Sequence, residues 1–388
     1  MYEPGESDPD SEESDSIFEE SDSNLEEFNS NPEVISWHLS HLYLSENLPE
    51  KDKFKNGTVV KLKMPDHSEG ATHDDEYEWR VLQHLRGKGG NNRGIVEVIG
   101  YVRNPQTFGI AMEKCETFES YWQRYHMDPC LARELLHDLL SAIKFLKGCG
   151  VAHRHLRPEN VLYKTNEEGI STLKLVGFGY AKMEHELKML PYEFKWRFDY
   201  TPPEAIMDMR GHLGYASDVL AVGLIVLSQL QASSRNGVQN NHMITNRQDY
   251  ITQWCNFLGC VPPVEMIKES KLGESFFEKD SSNNYQIVDN NWELQLTNNV
   301  YRTWNFPFNK IDDTVYRDLR PFAQRAQSLA DLRQLKDLLK RMITWDPRQR
   351  CTADEALKSR WFSKKFVKIL QEMGPEKNYY KRNRKYLH

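Results

Sequence analysis

Residues 151–163, VAHRHLRPENVLY, bring several groups capable of chemistry into one short stretch. His155 carries an imidazole that, when neutral, can accept a proton near physiological pH. Arg157 adds a permanent planar charge suited to carboxylate or phosphate groups. The side chain of Asn160 can instead hydrogen-bond to the backbone of its own loop. The stretch is therefore the first candidate for a functional site.

A strand-rich region precedes this stretch. Residues 57–64, GTVVKLKM, alternate and predict a strand with Val59 and Lys61 on one face. Residues 74–85 predict a helix in which Glu78 and Leu82 lie one turn apart. Two β-branched, glycine-punctuated segments, GIVEVIGYV and TFGIAMEKC, predict further strands.

The chain becomes helical after Cys115. Asp128 followed by Pro129 predicts a helix start, and Ser328 predicts another. The segment from Thr352 to Glu355 predicts a capping box. Residues 232–315 are asparagine-rich and weakly periodic, which predicts an insertion or long loops within the helical half.

Composition limits the class of protein. The 388 residues are 39% apolar and 28% charged, as in an ordinary water-soluble globular protein. The longest apolar run has nine residues, too few for a membrane span. The six cysteines show no paired spacing, so neither a zinc site nor a disulfide framework is expected. With no secretory signal at the acidic N-terminus, these patterns favour an intracellular protein.

The two ends differ in charge. Residues 1–30 contain twelve acidic residues and no Lys or Arg, so we expect residues 1–32 to be disordered. Ser7, Ser16 and Ser23 each precede an acid by three residues, a pattern that suits an acidophilic kinase, although a solvated spacer is the simpler interpretation. The tail, 371–388, contains the basic cluster KRNRK, a nuclear address or a solvated end; nucleic-acid binding is not expected.

The segments HRHLRPENVLY and LKLVGFGYAK together resemble the eukaryotic protein kinases, which carry H-R-D-L-x-x-x-N and D-F-G at similar separation. The resemblance implies a two-lobed α+β fold. Residues 33–115 would form a small antiparallel β lobe with one helix. Residues 116–370 would form a larger, mainly helical lobe that contains the insertion at 232–315.

The resemblance also assigns positions to individual residues. It implies a nucleotide slot near Val59 and Met112, with Cys115 in the hinge that follows. It places Lys61 and Glu78 as an ion pair on strand and helix. In the larger lobe it implies an anchor for the catalytic loop at Asp218 and a buried ion pair between Glu204 and Arg350.

Three positions depart from the family pattern. His155 stands where the family has a catalytic aspartate, Arg157 replaces its lysine, and Gly177 replaces the metal-binding aspartate of D-F-G. Only Asn160 keeps its metal-ligand identity. No glycine occurs between Glu6 and Gly57, so residues 36–47 cannot form an ordinary phosphate loop. We therefore expect weak ATP binding at most and no firmly held Mg²⁺.

Three segments, GIAMEKCETFESYW, GKGGNNRGIVEVIG and LGCVPPVEMIKESKLGESFF, are similar to the cell-division-cycle-seven replication kinases, the catalytic subunits of the Dbf-four-dependent kinase. That likeness implies a cell-cycle role, the nucleus rather than the cytoplasm, and a regulatory subunit that docks on the small lobe. Three functions stay open. The chain is a pseudokinase that binds and regulates, a weakly active atypical serine/threonine kinase with His155 as base, or a structural module without nucleotide.

Overall fold

The computed structural model describes residues 58–63, 75–103, 108–118, 120, 129–167, 169, 171–187, 200–209, 211–232, 247–288 and 329–362. The acidic segment 1–32, residues 36–47 and the basic tail 371–388 lie outside this part of the chain, so the predictions about them stay predictions. The described chain divides into two compact units.

Most of a three-stranded sheet, in the order β1–β3–β2, belongs to the first unit, while the first two residues of β2 and the last two of β3 belong to the second. The three predicted strands are present, as β1 (Thr58–Lys63), β2 (Val98–Arg103) and β3 (Phe108–Glu113). Their β-branched content suits a pleated, half-buried surface. Val59 and Lys61 lie on β1, as predicted, but their side chains lie outside the described part of the structure.

Helix α1 (Asp75–Gly87) confirms the predicted helix but belongs to the second, larger unit. Val81, Leu82 and Leu85 are at most 2% exposed, which shows that one face of the helix is buried. Arg80 and Arg86 lie on the exposed face. The helix therefore has one apolar side and one basic side, as its amphipathic sequence indicates.

The core of the larger unit is built on two long helices, α2 (Pro129–Gly148) and α4 (Tyr215–Ala232). Proline at the first position of α2 suits a helix start because its missing N–H has no partner there anyway. Helix α4 is apolar on nearly all sides and is buried accordingly. The remaining helices are α3 (Pro203–Ile206), α5 (Arg247–Leu258), α6 (Val264–Glu269), α7 (Gly273–Phe276), α8 (Leu329–Met342) and α9 (Ala353–Leu357).

Short antiparallel pairings position the loops that matter for function. Strand β5 (Val151–Ala152) pairs with β8 (Lys182–Met183), and β6 (Val161–Thr165) pairs with β7 (Ser171–Leu175) and with β4 (Glu116–Thr117). The loop between β5 and β6 therefore lies beside the turn between β7 and β8. These two connections contain all the predicted catalytic-loop residues and Gly177.

Of the two interpretations of residues 232–315, long loops are wrong for the part that is described, and an insertion stays a prediction. Residues 247–287 form α5, α6, α7 and a hairpin of β9 (Phe277–Lys279) and β10 (Tyr285–Ile287). Trp254 is fully buried, with its ring 5.9 Å from that of Trp345. Glutamine, threonine and asparagine side chains are interspersed along α5, so its apolar face is weak in sequence although it packs into the core.

The predicted buried ion pair forms. Two nitrogens of the Arg350 guanidinium each donate to a carboxylate oxygen of Glu204 at 2.6 Å, and both side chains are fully buried. Ser217 donates a further hydrogen bond to Glu204 at 2.8 Å. Paired, hydrogen-bonded geometry of this kind is what keeps a buried charge tolerable. The predicted capping box of Thr352 and Glu355 is also present at the start of α9.

Two absences apply to the described residues alone. Among them, no helix is both long enough and apolar enough to cross a membrane. The cysteines whose side chains are described, at positions 115, 149, 255, 260 and 351, are free thiols.

Candidate functional site

The loop between β5 and β6 is anchored to helix α4 by one carboxylate. The backbone N–H groups of His153 and Arg154 donate to the two oxygens of Asp218 at 2.8 and 2.7 Å. Arg154 has a φ of 64°, a strained conformation that these hydrogen bonds help to hold. Burial raises the pKa of Asp218 to about 7, although the two N–H groups act in the opposite direction. The predicted anchor is therefore in place.

His153 joins this loop to the turn after β7. Its Nδ1 accepts from the N–H of His155 at 3.3 Å, and its Nε2 donates to the carbonyl of Val176 at 2.9 Å. One nitrogen accepts and the other donates, so the ring is neutral. It also packs 4.6 Å from the ring of Phe178. Leu82 and Val98 are buried as well.

His155, at the predicted base position, is engaged by Asn160. The side-chain Nδ2 of Asn160 lies 3.3 Å from His155 Nδ1 and donates to the His155 carbonyl at 2.8 Å. An amide nitrogen can only donate, so Nδ1 accepts and a neutral ring carries its proton on Nε2. The ring also meets Tyr180 edge-on at 4.8 Å. The nitrogen that faces Asn160 is therefore occupied by a hydrogen bond within the loop.

Arg157 pairs with its neighbour Glu159. The guanidinium Nε lies 2.8 Å from a carboxylate oxygen of Glu159, and the arginine side chain is 12% exposed against 58% for the glutamate. The positive charge at this position is thus balanced within the loop itself. A phosphate group would have to compete with Glu159 for the guanidinium of Arg157.

Asn160 and Gly177 lie next to each other. Gly177 has a φ of +80°, a conformation that L side chains rarely adopt, and it has no side-chain oxygen. Mg²⁺ prefers several hard oxygen ligands in octahedral geometry. The described residues contain no group of three His, Cys, Asp or Glu side chains that could hold a metal ion. Position 177 therefore supplies no side-chain oxygen to a metal ion.

Glu78 ties helix α1 to the turn that contains Gly177. Its Oε1 accepts from the backbone N–H of Phe178 at 2.9 Å, and the side chain is 7% exposed. The helix is therefore held against the turn by a hydrogen bond from its own acid. The predicted ion pair of Glu78 with Lys61 stays a prediction, because the lysine side chain is outside the described part.

A second contact joins α1 to the chain after the turn. No pattern in the sequence predicts it. The Tyr77 hydroxyl donates to Glu186, which also accepts from the N–H of Met183 at 2.8 Å. The ammonium group of Lys182 lies 4.5 Å from the centre of the Tyr77 ring. Burial, and then the bond to Glu186, raises the pKa of Tyr77 above its ordinary value. We call this contact of Tyr77 with Glu186 the tyrosine latch.

Met112, predicted for the nucleotide slot, lies near the end of β3, and Cys115, predicted for the hinge, follows that strand. Met112 is 6% exposed and thus buried, while Cys115 is partly exposed. Burial, and then the nearby charge of Glu113, raises the pKa of the Cys115 thiol to about 12, so the thiol is not a reactive nucleophile. Between them, the side chain of Glu113 is buried and points into a charged cluster that the sequence did not reveal.

That cluster joins Glu113 to two lysines. Lys164 donates to Glu113 at 2.6 Å, and Lys174 lies 2.9 Å from its other carboxylate oxygen. The N–H of Glu97 adds a third donor at 2.9 Å. Burial acts to raise the pKa of Glu113, but these donors lower it overall. The cluster anchors the end of β3 to the hairpin of β6 and β7.

Comparison with known proteins gives the family. Residues 52–362 match the family model described as the protein kinase domain. The chain is 28% identical over 156 residues to calcium-dependent protein kinase 19 of Arabidopsis thaliana, covering 39% of this chain and 27% of that protein. It is 22% identical over 318 residues to the probable serine/threonine-protein kinase fhkD of Dictyostelium discoideum, covering 81% of this chain and 32% of that protein.

The matched part of the chain covers 27% and 32% of the length of these two relatives, about a third or less. The domain model itself covers most of the chain. The order of a small sheet, the helix α1 and a larger helical part agrees with it. This chain therefore belongs to the protein kinase domain family and has its two-lobed α+β fold.

Proposed function

We propose that this chain is a pseudokinase, a kinase-like domain that binds and regulates another protein and does not transfer phosphate. The proposal rests on the contacts of the three residues that depart from the kinase pattern. Gly177 offers no ligand, the Nδ1 of His155 accepts from Asn160, and Arg157 is balanced by Glu159. Phosphoryl transfer depends on positioning and on neutralising charge, and each of these residues departs from that task.

The contacts that stabilise a kinase fold are present. A folded domain of this kind favours a binding role. The Glu204–Arg350 pair and the hydrogen bonds from the loop to Asp218 are formed. A folded domain with such a centre still presents the surfaces through which kinases contact other proteins. Selection for those surfaces would preserve the fold without preserving phosphate transfer.

The first test is phosphotransfer. Purified protein with radiolabelled ATP, Mg²⁺ and an acidic serine substrate is expected to give no transfer above background. The second function, a weakly active atypical kinase that uses the imidazole of His155 as base, predicts transfer that disappears in Lys61→Ala. Such a result would overturn the pseudokinase proposal. The third function, a module without nucleotide, also predicts no transfer and is separated by nucleotide binding.

Nucleotide binding gives the sharper measurement. Without a metal bridge, ATP would be held through the hinge backbone beside Met112 and through Lys61, so its binding should be weak and independent of Mg²⁺. Ligand that binds the folded state raises Tm by mass action. We expect equal small shifts with ATP, with ATP plus Mg²⁺ and with adenosine. A clearly larger shift with Mg²⁺ contradicts this, and no shift with any ligand favours the third function.

The partner is proposed to be a regulatory chain that docks on the small lobe predicted from the sequence, residues 33–115, at its helix α1, as in the replication kinases that the sequence resembles. Arg86 lies on the exposed face of the helix, away from Leu82 and Leu85. Reversing its charge should weaken capture of that chain from nuclear extract, while Lys358→Glu, on α9's C-cap, should not. Identical captured proteins with Arg86→Glu and wild type would refute docking at this face.

Two further proposals concern the cell. The acidic N-terminal segment is proposed as a substrate of an acidophilic kinase at Ser7, Ser16 or Ser23, and the nucleus as the site of action. Mass spectrometry of the protein from cells checks the first. Fractionation before and after removal of residues 381–385 checks the second.

A further inference from the structure

The side chain of Asn160 occupies the space into which a side chain at position 177 would project. A methyl group at Gly177 would lie 2.6 Å from Asn160 Cγ and 2.8 Å from its Nδ2. Carbon atoms in van der Waals contact stay about 3.5–4.0 Å apart. Even alanine at this position would therefore force Asn160 to move.

Asn160 is not free to move without cost. Its Nδ2 donates to the carbonyl of His155 at 2.8 Å and lies 3.3 Å from His155 Nδ1. Its backbone N–H donates to the carbonyl of Arg157 at 2.9 Å, and its own carbonyl accepts from Val176 at 3.0 Å. Displacing the amide would break the side-chain bonds while the backbone stays fixed.

The backbone of Gly177 adds a second obstacle. Its φ of +80° and ψ of 47° are left-handed, where a residue with a Cβ is strained. An aspartate placed there would meet this strain and the amide of Asn160 together. The missing metal ligand is thus more than a lost carboxylate, because another side chain now fills its place.

We propose that Asn160 and Gly177 form an interlocked pair that closes the position of a divalent cation, with the Asn160 amide as a built-in occupant. The proposal rests on the pseudokinase function and extends it, since it explains why the single reversal Gly177→Asp would not recreate a metal site. It also assigns Asn160 a structural task in place of the metal-binding role implied by the family.

A double-mutant cycle tests the interlock, with Gly211→Ala as the control. Gly211 has a similar φ of +83° but nothing within 4 Å of an added methyl group, so it reports strain alone. Gly177→Ala is expected to lower Tm by about 5 °C more than Gly211→Ala does, because it also overpacks the site. In the Asn160→Ala background, that excess should disappear.

Either of two results overturns the interlock. One is an equal loss of Tm in Gly177→Ala and Gly211→Ala, and the other is an excess that persists without the Asn160 side chain. If Gly177→Ala does not fold, circular dichroism of Asn160→Ala/Gly177→Ala decides. A folded double variant supports the interlock, and an unfolded one refutes it.

Metal binding supplies an independent readout. Mg²⁺ is expected to raise the Tm of neither the wild type nor Gly177→Asp, and a Mg²⁺-dependent rise in Gly177→Asp would refute the closed position. None of these measurements uses phosphotransfer. Phosphotransfer found with the interlock intact would therefore refute the proposed function alone, and loss of the interlock would leave that function standing.

Discussion

The pair of Glu204 and Arg350 and the cluster of His155, Asn160 and Gly177 both satisfy polar groups within the protein, but the pair is fully buried and the cluster is only partly buried. The pair keeps two full charges and matches them with two hydrogen bonds of 2.6 Å. The cluster contains a glycine and satisfies an amide and an imidazole with each other. The first is a buried ion pair that stabilises the fold, and the second is a set of hydrogen bonds within one loop.

The difference shows that the contacts that hold the fold together are formed although three positions of the loop and the turn depart from the kinase pattern. Arg350 reaches Glu204 across 146 residues of chain, and Asp218 reaches the loop across 65. Such long-range partners cannot be lost singly without a large cost in stability. A change among the residues of the centre costs less when each buried polar atom finds another partner and no new overlap is created.

The largest expected effect is on the charged pair. Glu204→Ala leaves the guanidinium of Arg350 buried without its carboxylate, so we expect the free energy of unfolding to fall by about 3–5 kcal/mol. Urea denaturation followed by tryptophan fluorescence measures this change. If Glu204→Ala lowered the free energy of unfolding only as much as the loss of an exposed ion pair does, the buried pair would not be the stabilising contact described here.

Glu269→Ala is the matched control for that measurement. Glu269 pairs with Arg348 at 2.9 Å, but the two side chains are 46% and 41% exposed. Solvent screens such a pair, and its loss should cost at most about 1 kcal/mol. Similar losses in the two variants would show that burial does not set the value of the Glu204 pair.

A second, intermediate effect concerns the charged cluster of Glu113, Lys164 and Lys174. Glu113→Gln should lower the free energy of unfolding at neutral pH by about 1.5–3 kcal/mol, the range for hydrogen bonds to charged groups. The folded-state pKa of Glu113 is lowered, so its contribution is present above the ordinary value of about 4.3 and is lost as pH falls through the folded value.

Unfolding measured from neutral to acid pH checks this sign. The wild type should lose stability on acidification more steeply than Glu113→Gln, so that the two curves converge at low pH. Glu278→Gln, an exposed acid on β9, should follow the wild type throughout. Parallel curves for wild type and Glu113→Gln would show that the cluster does not hold its charge.

The smallest effect is expected at the tyrosine latch. Tyr77→Phe removes one hydroxyl that joins α1 to Glu186, so the cost should be about 1 kcal/mol. Hydrogen exchange should speed up for the amides of residues 182–187, with little change in α2. Tyr285→Phe, on the hairpin strand β10, is the control. Unchanged exchange at Met183 would mean that the latch does not hold this segment.

The sequence predicted local features well. The strands β1 and β3, the helices α1 and α2, and the capping box at Thr352 depend on alternation, periodicity and short-range hydrogen bonds. The buried pair of Glu204 and Arg350 was predictable only through resemblance, since nothing local joins the two residues. The likeness also placed Asp218 beneath the loop.

Contacts between distant side chains were beyond sequence reasoning. Tyr77 and Glu186 are 109 residues apart, and both are ordinary surface residue types. Glu113 ends β3, and its side chain pairs with Lys164, 51 residues away, and with Lys174. The orientation of Asn160 could not be derived either, because its type suits a metal ligand and a backbone partner equally. Which one it contacts depends on the space left by Gly177.

The tyrosine latch connects helix α1 to the chain after Gly177 through two unmodified side chains. A contact of this kind forms as soon as the polypeptide has folded. A contact that depends on a phosphate group needs one enzyme to add the phosphate and another to remove it. The latch therefore forms from the sequence alone, and its formation needs no modifying enzyme.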